Sequence, residues 1–68
     1  MSRLAELFVT FTGAAYNGEH TEAAARAWAR SIEAWATHQI RFYCWDYTTA
    51  EVVIARVRHA ANQPITTP

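Results

Sequence analysis

Lysine is absent from this chain of 68 residues, cysteine occurs once, and glycine and proline occur twice each. Each scarcity excludes something. With Cys44 alone, no internal disulfide can form. A tetrahedral zinc site is not expected either, because one cysteine and the widely spaced His20, His38 and His59 do not make a ligand cluster. Six acids balance six arginines, so net charge is missing too. A duplex-DNA binder normally carries a basic surplus to displace counterions, and a nucleic-acid mimic an acidic one. No stretch approaches the ~20 apolar residues of a membrane span, and the opening MSRLAELFVTFTG has no basic segment followed by a long apolar run. The expectation is a soluble, cytoplasmic protein with no membrane partner, and the lone thiol fits a reducing compartment.

Catalytic signatures are also missing. There is no glycine-rich phosphate loop, no carboxylate pair and no triad-like spacing. Cys44 with a histidine as base would need hydrogen-bond reach. Its place in the middle of an apolar run reads instead as a small buried hydrophobe. Glu19 and His20 are neighbours in a loop and read as solvated. His38 and His59 fall late in helical segments, where an imidazolium suits the helix dipole. Asp46 reads as a turn residue or as a partner for Arg41 or Arg56. The chain is therefore expected to be non-enzymatic, without cofactor or metal.

What is abundant is alanine, fourteen residues, with arginine as the sole strong base. Both point to a GC-rich coding genome, bacterial or phage. The other asset is aromatic. Residues 39–47, QIRFYCWDY, alternate: Ile40, Phe42 and Cys44 fall on one side, and Arg41, Tyr43, Trp45 and Tyr47 on the other. Period-two alternation of β-branched and aromatic residues predicts a strand. Residues 4–12 predict another, with Leu7, Val9 and Phe11 opposite Phe8, Thr10 and Thr12, ended by Gly13. Asn17-Gly18 marks a turn leading toward a helix.

Residues 22–37 predict that helix, with Thr21 as N-cap. Ala25, Trp28, Ala29, Ile32, Trp35 and Ala36 line its apolar face; Glu22, Arg26, Arg30 and Glu33 lie opposite. Trp28 and Trp35, seven apart, read as core. Residues 49–61 predict a second helix, started by a Thr48/Glu51 capping box and striped by Ala50, Val53, Ile54, Val57 and Ala61. Pro64 stops it, and 64–68 reads as a loose tail.

The expected fold is a single α+β domain over 1–63, ordered β-α-β-α: a small two-stranded sheet with both helices on one face, open to extension by dimerisation. Parallel pairing needs a right-handed crossover, and an antiparallel pair is the alternative. A chain this short buries only ~60% of its unfolded surface, and a two-stranded sheet leaves open edges. The uncovered face would present Phe8, Arg41, Tyr43, Trp45 and Tyr47, residue types typical of interface hot spots. If a helix covered each face, Tyr43 and Trp45 would instead be ordinary core.

The functional expectation is a protein-binding module. It would be a phage- or mobile-element-encoded inhibitor or adaptor that sterically occupies a surface of a larger bacterial protein complex, itself a homodimer. The alternative is a small RNA or single-stranded DNA binder using the aromatic strand with Arg56, Arg58 and His59.

Overall fold

The computed structural model describes residues 1–63 and contains four helices: α1 (Arg3–Thr12), α2 (Gly18–Arg30), α3 (Ile32–Tyr43) and α4 (Tyr47–Asn62). Among the described residues there is no strand, so the expected β-α-β-α fold is wrong. The first expected strand is helical throughout, and the second is helical except at residues 44–46. The tail expected at 64–68, and the stop at Pro64, lie outside the described residues.

The first correction concerns residues 4–12. Leu7, Val9 and Phe11 do alternate, but Leu4, Leu7, Phe8 and Phe11 recur at spacings of three, one and three, the stripe of an amphipathic helix. The ends decide between the two periods. Ser2 has extended backbone, and its Oγ accepts a hydrogen bond from the Ala5 N–H at 3.0 Å, an N-cap. Gly13, at φ 75°, takes the left-handed conformation that closes a helix, and its N–H donates to the Val9 carbonyl at 3.0 Å. Ten residues held between two good caps are helix even where β-propensity is high.

The second correction concerns residues 39–47. Residues 39–43 are the last turn and more of α3, while 44–46 form a tight connection to α4. The cap of α4 is not Thr48. Asp46 Oδ1 accepts from the Thr49 N–H at 2.6 Å, so the helix begins two residues earlier than the Thr48/Glu51 box implied. That bond also holds the Asp46 carboxyl below its ordinary range.

The predicted helix over 22–37 is two helices. Ser31 leaves helical geometry (φ −112°, ψ 24°) between α2 and α3. Its N–H still donates to the Trp28 carbonyl (3.1 Å), and its carbonyl accepts from the Trp35 N–H (3.0 Å), so the backbone stays satisfied through the break. Thr21 is not a cap but a buried residue inside α2, and its Oγ1 accepts from the Asn17 N–H across the helix start.

α1 packs on α2 and α4, and α3 packs on α4. The core is a contiguous aliphatic and alanine cluster that includes Leu4, Leu7, Ala25, Ile32, Val53 and Val57. Ile32 and Val57 are its largest fully enclosed side chains. Burying such a side chain stabilises by about 1.5–3 kcal/mol. Ala36 and Ala50, both buried, keep side-chain bulk low on α3 and α4. The exposed Arg58–Glu33 ion pair also links α4 to α3.

Aromatic rings close one side of this core. Phe8 meets Trp28 (5.5 Å between centroids), Trp28 meets Trp35 (5.4 Å), Trp35 meets Trp45 (5.5 Å), and Trp45 returns to Phe11 (6.2 Å). The interplanar angles run from 61° to 88°, the edge-to-face geometry that sets a ring's positive edge against a negative face. These rings come from α1, α2, α3 and the α3–α4 connection, so the chain of contacts ties every part of the fold but α4 together. Trp28 Nε1 is buried with no hydrogen-bond partner among the described residues. Among the described residues no helix is long and apolar enough to cross a membrane.

Candidate functional site

The α3–α4 connection is short because a left-handed residue reverses the chain. Cys44 (φ 60°, ψ 30°) ends α3, and the Gln39 carbonyl accepts from both the Cys44 and Trp45 N–H groups. Glycine usually fills such a position, and a residue with a Cβ there costs about 1 kcal/mol. Trp45 then turns inward onto Phe11 and Trp35, and Asp46 starts α4.

This geometry throws the flanking rings outward. Phe42, Tyr43 and Tyr47 are 67%, 65% and 74% exposed. Arg41 is exposed beside them, in the last turn of α3, where a cation also suits the helix dipole. His38 lies one turn back, with its ring 4.6 Å from that of Phe42 and 5.9 Å from that of Tyr43. It is within α3 rather than at a helix end, so the expected dipole role does not apply. An open groove of about 600 Å³ runs alongside, lined by residues that include Phe11, Trp35, His38 and Tyr43. Pockets of roughly 300–1,000 Å³ accept small ligands or protruding side chains.

The expected contact residues therefore divide. Arg41, Tyr43 and Tyr47 share the exposed turn. Phe8 and Trp45 do not join them: both are half-buried and belong to the inward ring system. Phe42, assigned by alternation to a core face, is instead exposed. The missed signal was helical: Ile32, Trp35, Ala36 and Gln39 recur at spacings of three, one and three, a helix period that runs into residues 39–43, where α3 ends and Phe42 and Tyr43 are exposed.

Cys44 was expected to be buried and is exposed at the turn. Asp46 makes no ion pair with Arg41 or Arg56 among the described residues; it caps α4. Arg56, Arg58 and His59 are all exposed on α4, but Arg58 is paired with Glu33, and His59 Nε2 lies 2.9 Å from Gln63 Nε2. Glu19 and His20 are exposed in the first turn of α2. Among the described residues no three metal-ligating side chains converge.

Compared with protein-family models, curated proteins and solved structures, the chain matches none.

Proposed function

We propose that this chain is a non-enzymatic protein-binding module that works by covering a surface of a larger protein. The observation that carries the reading is the exposed trio Phe42, Tyr43 and Tyr47 beside Arg41. Aromatic residues and arginine are enriched where interfaces hold most of their binding energy. Rings with few rotatable bonds can be buried at low entropic cost, and the tyrosine hydroxyls and the guanidinium supply direction. The groove beside the turn offers a second feature, a recess into which a partner's side chain could insert. In this reading the inhibitor or adaptor acts sterically in the bacterial or phage cytoplasm, and its arginine-only, alanine-rich composition is what supports that origin.

An open sheet edge, one ground for a homodimer, does not exist among the described residues. Self-pairing through the aromatic turn becomes the competing outcome. The nucleic-acid reading loses its aromatic strand, because no strand exists among the described residues and Arg58 lies roughly 16 Å along α4 from Tyr47.

The test uses tagged chain as bait in extracts of the native host, with the triple variant Phe42→Ala/Tyr43→Ala/Tyr47→Ala as comparison. A partner held by the wild type and lost by the variant, with helicity unchanged by circular dichroism, supports the proposal. Each hot spot should contribute more than ~2 kcal/mol to the measured affinity. Equal retention by both baits overturns it. Sedimentation at several concentrations identifies self-pairing, which would replace the foreign partner with a second copy.

A further inference from the structure

A second groove, of about 540 Å³, lies at the other end of α4 from the aromatic turn. Four of the six arginines line it: Arg3 from α1, Arg26 and Arg30 from α2, and Arg58 from α4. Among the described residues no aspartate or glutamate lines it. A chain with no net charge has thus gathered most of its positive charge around one recess. The bases are distant in sequence, so only the packing of three helices brings them together.

Two of these arginines hold no ion pair among the described residues, namely Arg26 and Arg30. The acid nearest to Arg30 in sequence, Glu33, is paired with Arg58, and the one nearest to Arg26, Glu22, is engaged as well. Its two carboxylate oxygens accept from the Ser2 N–H at 2.9 Å and the Ser2 Oγ at 2.6 Å. Arg3 and Arg58 are paired with Glu6 and Glu33, but all four side chains are more than half exposed. Exposed pairs of this kind are worth about 0–1 kcal/mol, so an incoming carboxylate can replace them at little cost. The buried Leu4 and Ala60 give the groove an apolar floor beneath this charged rim.

We propose that this groove binds an acidic peptide segment, with glutamate or aspartate carboxylates on the guanidinium rim and hydrocarbon against the floor. Guanidinium forks hold carboxylates through paired, charge-assisted hydrogen bonds. The lining residues argue against a nucleic acid. Single-stranded nucleic acids are held by stacking bases on aromatic rings beside a basic track, and among the described residues no aromatic side chain lines this groove. The proposal does not rest on the aromatic turn, which occupies the opposite end of α4, and either can fail alone.

The experiment is a binding titration of the full chain, followed by the NMR signals of the arginine Nε–H groups. The probes are a short labelled peptide of glutamate and leucine, its glutamine–leucine counterpart, inorganic phosphate and a single-stranded oligothymidylate. The acidic peptide should shift the Arg26 and Arg30 signals, while the glutamine peptide leaves them in place. The double variant Arg26→Ala/Arg30→Ala should weaken peptide binding by on the order of tenfold or more. Arg56→Ala removes a single charge from α4 outside the groove lining and should weaken binding several-fold less than the double variant. Circular dichroism confirms that each variant is folded. Arg26→Lys/Arg30→Lys keeps the charge without the fork and should recover only part of the affinity. The proposal is overturned if the acidic peptide causes no shift. It is equally overturned if phosphate or the oligonucleotide binds the groove more tightly than the peptide, or if Arg56→Ala costs as much as the double variant.

Discussion

Two sets of rings in this chain meet opposite fates. Phe8, Phe11, Trp28, Trp35 and Trp45 join edge to face and help close the core, whereas Phe42, Tyr43 and Tyr47 stand in solvent. Trp45 sits between Tyr43 and Tyr47 in the chain yet belongs to the inner set. Ring chemistry does not explain the division. Position relative to helix ends does. Tyr43 ends α3, Tyr47 begins α4, and the left-handed residue between them turns Trp45 back toward α1. An aromatic residue is therefore a structural or a contact residue according to the capping of its neighbours.

The contrast can be broken most forcefully at its centre. Trp28 touches both Phe8 and Trp35, so Trp28→Ala opens a cavity and removes two edge-to-face pairs. It should destabilise by about 3–5 kcal/mol. Domains of this size hold only a few to about 10 kcal/mol in all, so thermal or urea unfolding should show most of the stability gone. A loss under ~1 kcal/mol would mean that the inner rings do not hold the helices together.

The turn that separates the two sets depends on Asp46. Asp46→Ala removes the α4 cap and should lower the urea midpoint of unfolding. The same bond predicts acid sensitivity. Asp46 is lowered from its ordinary 3.8 by its hydrogen bonds from Thr49, and Glu22 is lowered from 4.5 by its hydrogen bonds from Ser2, the side-chain bond first. A carboxylate with a depressed folded pKa contributes stability that is fully present above its unfolded value and is lost as pH falls through the folded one. Stability should therefore decline as pH drops below about 4.5. The double variant Glu22→Gln/Asp46→Asn should flatten that decline, as followed by unfolding at stepped pH.

The smallest expected effect sharpens the contrast. Phe42→Ala and Tyr47→Ala alter exposed rings and should each move folding stability by no more than ~0.5 kcal/mol. Destabilisation approaching that of Trp28→Ala would show that the outer rings support the fold, and the distinction between the two sets would disappear.

Much of the helical content was legible before the structure. The stripe Ala25, Trp28, Ile32 and Ala36 is buried as its spacing required, and Ala50, Val53 and Val57 form the inward face of α4. What misled was propensity. Phe8, Val9, Phe11, Ile40, Phe42 and Tyr43 favour strands, and over five to nine residues a period of two and a period of 3.6 can coexist. Ser2, Gly13 and Asp46 resolve that ambiguity, because each satisfies or terminates helix ends that a strand would not have. Part of the exposed turn was visible in Arg41, Tyr43 and Tyr47, although for the wrong reason, as one face of a sheet. Arg3, Arg26 and Arg30 gave no sequence signal as a group, since charges on separate helices converge only once those helices pack.

Taken alone, the residues determined the inward stripes Ala25, Trp28, Ile32 and Ala50, Val53, Val57, and that neither an internal disulfide nor a surplus of charge would assist folding. Tertiary packing decided which periodicity prevailed, which rings went inside, and that four arginines would share one groove. The reason is that hydrophobic burial is non-directional and depends on area. A short apolar segment gains as much by facing a core as helix or as strand, and only its neighbours supply the geometry that selects between them.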